Sequence, residues 1–221
     1  MTAIGRSGEQ SGEGRPATSY GMSVGRLEAF SDGVFAIVIT LLILDIRVPV
    51  GEHGHLGRAL GHQWPQYVAY LSSFLIVGII WLNHHATVNL LARADHRIQV
   101  LNLLLLLTVS VVPWPTALLA EYTRDGTAGD QRVAVLVYGL TFTVMSFSFN
   151  ALWRYLLRHP ELHKPHVSPA VLEVRNRRYN LGLAAYPVAT AIGFLSVPVF
   201  LGLMLVLAVV YLLPTPDVEV Q

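Results

Sequence analysis

Six stretches of the chain are apolar over nearly their whole length, and polar residues collect between them. The first runs from about Val24 to Ile46 and is closed by Pro49. The second runs from Trp64 to about Thr87, with Pro65 in its first turn. The third is Arg97 to Ala120, with Pro113 and Pro115 near its end, and the fourth is Arg132 to Leu157. The fifth, Tyr179 to about Ser196, and the sixth, Pro198 to Leu213, are short and joined by a junction brief enough to force a tight hairpin. A helix needs about 20 apolar residues to cross a bilayer, so the pattern predicts six membrane helices. A membrane barrel would instead alternate apolar and polar positions in segments of roughly ten residues, and no such alternation occurs.

Composition agrees. Hydrophobic residues make up 53% of the chain and charged residues 13%, where a soluble domain carries about 25% charged. The mean hydropathy is +0.50. There is no cysteine, which excludes disulfides, thiol nucleophiles and cysteine metal sites. A net charge of +1 gives no reason to expect a nucleic-acid partner. Residues 1–22 are polar and lack the basic start and short apolar core of a signal peptide, so they read as a retained, disordered tail. The expected organisation is that tail, a six-helix membrane domain over residues 23–213, and a short second tail over 214–221.

Charge sets the orientation. With the N-terminus in the cytoplasm, the inner segments carry Arg6, Arg15, Arg26, Arg93, Arg97, Arg154, Arg158, Lys164, Arg175, Arg177 and Arg178. The outer segments carry only Arg47, Arg58, Arg124 and Arg132. The positive-inside rule therefore places both termini in the cytoplasm and makes the chain a multi-pass protein of the cell membrane. The basic, proline-punctuated stretch 158–178 reads either as an anchor against anionic lipid or as a plain solvated linker.

With that topology the polar residues inside the spans fall at one depth. Asp32, His84, His85, Asn102, Asn150, Arg154, Arg178 and Asn180 all lie in the cytoplasmic half. Unpaired polar groups in a bilayer cost several kcal/mol each, so the simplest reading is a hydrogen-bonded layer joining the helices. Glu28 and Asp32 stand four residues apart, which puts two carboxylates on one face and calls for a cation or proton between them. Arg26, Arg93, Arg97 and a protonated His84 or His85 are the candidates. A proton or gating role within this layer is a second reading. A metal site is a third, but adjacent histidines point about 100° apart on a helix and cannot easily share an ion. His53 and His55 read as loop residues rather than metal ligands.

The first helix has a smooth face. At about 100° per residue from Ile37, Leu41 lies near +40°, Leu44 near −20° and Phe30 near +20°. Thr40 lies near −60°, at the edge of this stripe, and Asp32 near −140°, on the far side. Periodicity alone does not separate a packed stripe from a lipid-facing or pore-lining one.

The segment Arg26-x-x-x-Phe30-Ser31-Asp32-Gly33-Val34-x-Ala36-Ile37-x-x-Thr40-Leu41, with Asp45 and Pro49 beyond it, resembles the signature of the transmembrane protein 175 family of potassium channels in its short bacterial form. Trp81-x-x-His84-His85, Asn102 and Pro113 extend the match through the first half of the chain. The resemblance implies an all-α membrane protein with six transmembrane helices per subunit, assembled as a homotetramer around a central pore lined by the first helix. It implies that Ile37 forms the tightest apolar ring, with Leu41 and Leu44 as further rings and Thr40 as a polar group bearing on selectivity. Arg26, Phe30, Ser31 and Asp32 would position that helix, with His84 and Asn102 as their partners. The chain would conduct potassium as a leak-type channel with a hydrophobic gate, needing membrane lipid and permeant monovalent cations but no cofactor and no metal. No Thr-Val-Gly-Tyr-Gly filter segment is present, and no nucleophile–base motif suggests an enzyme. Asp45 reads either as a ring of carboxylates at the outer mouth or as a partner of Arg47 or Arg124. The alternative function is a proton-coupled secondary transporter with Asp32 and His84 as its relay.

Overall fold

The computed structural model describes residues 23–50, 54–165 and 167–212, and these are helical almost throughout. The two tails expected at 1–22 and 214–221, and His53, lie outside the described residues. The helices are α1 (Val24–Leu41), α2 (Leu56–His62), α3 (Trp64–Val88), α4 (His96–Ser110), α5 (Pro113–Asp125), α6 (Ala128–Arg158), α7 (Pro169–Gly193) and α8 (Val197–Leu212). Among the described residues, four stretches are long and apolar enough to cross a membrane: Val24–Asp45, Trp64–Val88, His96–Asp125 and Ala128–Arg158. Helix α7 has the length, but Glu173, Arg175, Arg177 and Arg178 crowd its first half. Helix α8 is apolar but only 16 residues long.

Three boundaries differ from the sequence pattern. The third apolar stretch is two helices rather than one, α4 and α5, broken at Val111 and Val112. The cause is Pro113, which has no N–H to donate to the preceding turn, although Val112 before it keeps helical geometry. The break is bridged by tighter bonds, from Val112 N to Val109 O and from Trp114 N to Val111 O. The stretch 158–178 is not a loop throughout. Helix α7 begins at Pro169, a residue suited to a first helical turn, and the connection shrinks to 159–168. Charge had been read there as a sign of loop, whereas Arg and Glu are good helix formers. Finally, α1 gives way to a 3-10 turn over Leu42–Asp45 before the chain reaches Pro49.

Helix α6 is the central post, packed against α4, α5 and α7, while α8 packs on α3 and α7. Trp153, Tyr138, Phe142 and Phe200 are fully buried there. Helix α1 lies at the margin, packed chiefly against α3 and α4. Only 28% of its most apolar window is buried, against 44% to 56% for the other three spans, so most of its surface is exposed in the subunit.

Both ends of the bundle are fastened by polar contacts. At the end carrying α1's C-terminus, Ser73 Oγ lies 2.8 Å from Thr116 Oγ1 and 2.9 Å from Tyr138 Oη, tying α3, α5 and α6 through buried hydroxyls. At the opposite end, Ala92 N donates to Leu162 O at 2.8 Å and Lys164 N to Leu90 O at 2.9 Å, clasping two loops together. Arg175 donates to Ala86 O at 2.7 Å, where a cation suits the carbonyl end of α3. Asp95 caps α4, accepting from Ile98 N at 2.8 Å, and its other oxygen accepts from the Tyr155 hydroxyl of α6 at 2.6 Å. Partial burial would raise the Asp95 carboxyl, but the hydrogen bonds from Tyr155 and Ile98 outweigh it and hold the group below the usual carboxylate value.

A depressed carboxylate stabilises the fold above its ordinary pKa and loses that contribution as pH falls through its folded value. Asp95→Ala should therefore lower stability near neutral pH by about 1 kcal/mol. Thermal melting of the solubilised protein should find that difference shrinking below about pH 4, because only the ionised carboxylate is the better acceptor.

Candidate functional site

Helix α1 has two unlike faces. Leu27, Ser31, Phe35, Val38 and Leu42 recur at three- and four-residue spacing and are buried against α3 and α4. The opposite face carries Phe30, Ile37, Thr40, Leu41 and Leu44, all exposed in the subunit, with Ile37 at 61% and Leu44 at 72%. Ala29, Gly33 and Ala36 are exposed beside them, so the face is smooth. Thr40 turns its hydroxyl inward to Ile37 O, at 2.8 Å. Leu44 sits in the 3-10 turn and not in the α-helix, yet it remains on the open side.

The buried face is held by a chain of hydrogen bonds whose direction can be deduced. The Ser31 hydroxyl donates to Leu27 O at 2.8 Å, so its oxygen must accept from Asn102 Nδ2, 3.0 Å away. That fixes the amide of Asn102 with Oδ1 towards His84 Nε2, at 2.7 Å. His84 is therefore the donor and carries a proton on Nε2. Its Nδ1 is buried with no partner among the described residues, and Phe35 packs on its ring at 5.5 Å between centroids. Ser31, His84 and Asn102 are all at most 2% exposed.

A second set of contacts runs beside this chain between antiparallel α1 and α3. The His85 imidazole meets Glu28 at 2.9 Å, and Trp81 Nε1 donates to Asp32 Oδ1 at 2.8 Å. The two carboxylates four residues apart on α1 thus each meet a donor from a pair four residues apart on α3. Trp81 and His85 also lie ring to ring at 6.1 Å.

The structure brings Ser31, His84 and Asn102 together and sets Asp32 one turn away on Trp81. Arg26 is exposed and makes no hydrogen bond or ion pair with the described residues of its own subunit, and Phe30 lies on the open face at 53% exposure. Neither takes part in the clamp within one subunit. The group that meets Glu28 is the His85 imidazole, not Arg93 or Arg97. Asp45 does not pair with Arg47 or Arg124. Arg47 reaches Glu121 at 3.6 Å, Arg124 pairs with its neighbour Asp125, and Asp45 Oδ2 is buried without a partner among the described residues. Two residues escaped the sequence reading: Trp81 as the donor to Asp32, and Phe35 as the lid on His84. The matching four-residue spacings on α1 and α3 were the available signal. The described residues contain no cluster of three or more metal-ligating side chains.

The fold and these contacts define a helical membrane protein in which one helix is clamped through its polar face and keeps its apolar face exposed in the subunit. The family model described as endosomal/lysosomal potassium channel TMEM175 matches residues 26–113, the span that contains the clamp. A potassium channel of Streptomyces collinus is 48% identical over 188 residues, covering 85% of this chain and 90% of that protein. A potassium channel of Chamaesiphon minutus is 42% identical, covering 86% of this chain and 93% of that one. The crystal structure of a lysosomal potassium-selective channel TMEM175 homologue from the same organism superposes with a TM-score of 0.73 at 41% identity, over 85% of this chain and 95% of that one. The chain belongs to the TMEM175 family, whose members are ion channels and not enzymes. The similarity extends well past the first half of the chain, where the sequence motifs had confined it.

Asn102→Leu removes both bonds and strands the His84 donor, so it should cost about 1–3 kcal/mol of stability. Thr40→Val, on the open face, should stay within about 0.5 kcal/mol of the unaltered protein. Paired thermal melts of the two variants in detergent separate the clamped face from the bare one.

Proposed function

We propose that this protein is a potassium-permeable, leak-type cation channel of the cell membrane, built as a homotetramer in which α1 of each subunit lines a central pore. The observation that carries this reading is the open face of α1, which is smooth and apolar from Phe30 to Leu44 apart from Thr40, on a helix whose Ser31 and Asp32 are bonded on the other side. The kinship with potassium channels, over most of the chain, supplies the rest. On this reading each subunit crosses the membrane six times, α4 and α5 together making one crossing and α7 and α8 the last two, with both termini in the cytoplasm.

Ile37 forms the narrowest ring, Leu41 and Leu44 form rings further out, and Thr40 sits between them at the edge of the lumen. An apolar ring of this kind closes a pore by dewetting and needs no charged plug. Opening requires only a small rotation or dilation of α1. The clamp through Ser31, Asp32, His84 and Asn102 sets the resting orientation of that helix, while Arg26 and Phe30, free within one subunit, face the neighbouring copies. Four Asp45 carboxylates near the outer mouth concentrate cations there. A proton relay through Asp32 and His84 is less well supported, since the two do not bond each other: Asp32 takes Trp81 and His84 takes Asn102.

Purified protein in liposomes should carry potassium flux that neither saturates nor requires a proton gradient. Ile37→Asn should raise that flux or alter its ion preference, by about tenfold if the ring costs 1.4 kcal/mol to wet. Saturating, proton-driven flux would favour a carrier instead, and an unchanged Ile37→Asn variant would remove Ile37 from the constriction. Native mass spectrometry should find four copies of the chain.

A further inference from the structure

On the side of α3 turned away from α1, a small cavity opens between α3, α6, α7 and α8. It offers about 20 Å³ to the centre of a water molecule, where about 10–15 Å³ suffices for one. Its walls include Asn83, Ser146, Asn150, Gly182, Tyr186 and Tyr211. Ile79, Ile80 and Phe149 complete a lining that is mostly apolar, so the case for an occupant rests on the few polar groups among these walls.

Asn150 supplies the decisive constraint. It is 3% exposed, and its Nδ2 donates to two carbonyls, Ser146 O at 3.0 Å and Tyr179 O at 3.1 Å. Rotating the amide by half a turn would set an oxygen against both carbonyls, so its orientation is fixed. Oδ1 must accept, and it is buried with no donor among the described residues. The wall at Gly182 is close-packed: a Cβ built there would lie 2.9 Å from Ser146 Oγ and 3.4 Å from Tyr211 Oη. Both hydroxyls therefore stand close to the α7 backbone at the cavity wall.

We propose that this cavity holds one ordered water molecule, which donates to Asn150 Oδ1 and exchanges hydrogen bonds with the hydroxyls of Ser146 and Tyr211. The occupant is water and not a permeant cation. No carboxylate lines the cavity, and the Arg178 guanidinium stands 5.6 Å from the centre of the Tyr211 ring, where it opposes a second positive charge. The water completes a polar seam behind α3. That helix is then held on two sides, by the clamp towards α1 and by the hydrated seam towards α6, α7 and α8. Glycine at position 182 lets the hydroxyls of Ser146 and Tyr211 approach the α7 backbone beside it.

The test is structural and thermal, and it does not depend on transport. A structure of the full-length protein at a resolution that reveals ordered water should contain a density peak within hydrogen-bond reach of Asn150 Oδ1, and an empty cavity there would overturn the proposal. Melting temperatures of Gly182→Ala and of Ser146→Ala/Gly182→Ala supply the second arm, the double variant removing the close contact between the new methyl group and the Ser146 hydroxyl. If the methyl group displaces a water and strands Asn150, the double variant melts about 3 °C or more below the unaltered protein. If the cavity is dry, the methyl group fills a void and the melting temperature holds or rises, which would overturn the proposal. A melting temperature raised by potassium over choline, with the rise abolished by Gly182→Ala, would replace the water with a cation.

Discussion

The hydrogen bond between Ser31 and Asn102 governs how this subunit is used. Ser31 sits on α1 and Asn102 on α4, and through Asn102 the bond continues to His84 on α3. Three helices meet at one buried point, and the rotation of α1 about its own axis is fixed there. In a bilayer the apolar surfaces of helices give little preference for one rotation over another, since lipid tails are as apolar as leucine. Polar groups do give one, because turning Ser31 or Asp32 out into lipid leaves donors and acceptors unpaired. The apolar face of α1 is bare because its polar face is committed elsewhere.

The same logic explains the grouping of the polar residues. Glu28 and Asp32 would repel one another on a bare helix. Here each is met by its own donor from α3, His85 and Trp81, in an antiparallel register that also brings Phe35 over the ring of His84. The far end of α3 is pinned by hydroxyls, Ser73 with Thr116 and Tyr138, while its carbonyl end is met by Arg175. Helix α3 is thus anchored along its length, and α1 is mounted on it.

Much of this was legible before the structure. Membrane class, the apolar stripe through Ile37, Leu41 and Leu44, and the turning of Asp32 away from it follow from hydropathy and a 100° step. The common depth of His84 and Asn102 follows from topology. What escaped has physical reasons. Pairing between helices depends on register, and a single sequence states the spacing within a helix but not the sliding of one helix on another, so Trp81 was read as part of a motif and not as the donor to Asp32. The start of α7 was missed because charge near a membrane surface reads as loop, although residues 169–178 are good helix formers. Arg26 and Phe30 were grouped with the clamp because motifs are read along the chain, while the helix distributes their neighbours to opposite faces.

Arg26 and Phe30 also bear on the assembly. A motif that puts an arginine and an aromatic ring on the open face, one turn apart, would be a liability in a lone subunit facing lipid. An exposed arginine near the membrane is costly unless it reaches water or a partner, and the described residues of its own subunit offer it none. In the proposed tetramer a neighbouring copy of α1 would supply the partner. Its Glu28 and Asp32 lie at the same depth, and the small residues Ala29, Gly33 and Ala36 allow the close approach that would let the arginine reach them. The clamp orients α1 within a subunit, and in the proposed tetramer Arg26 and Phe30 are the exposed residues that would reach the next α1.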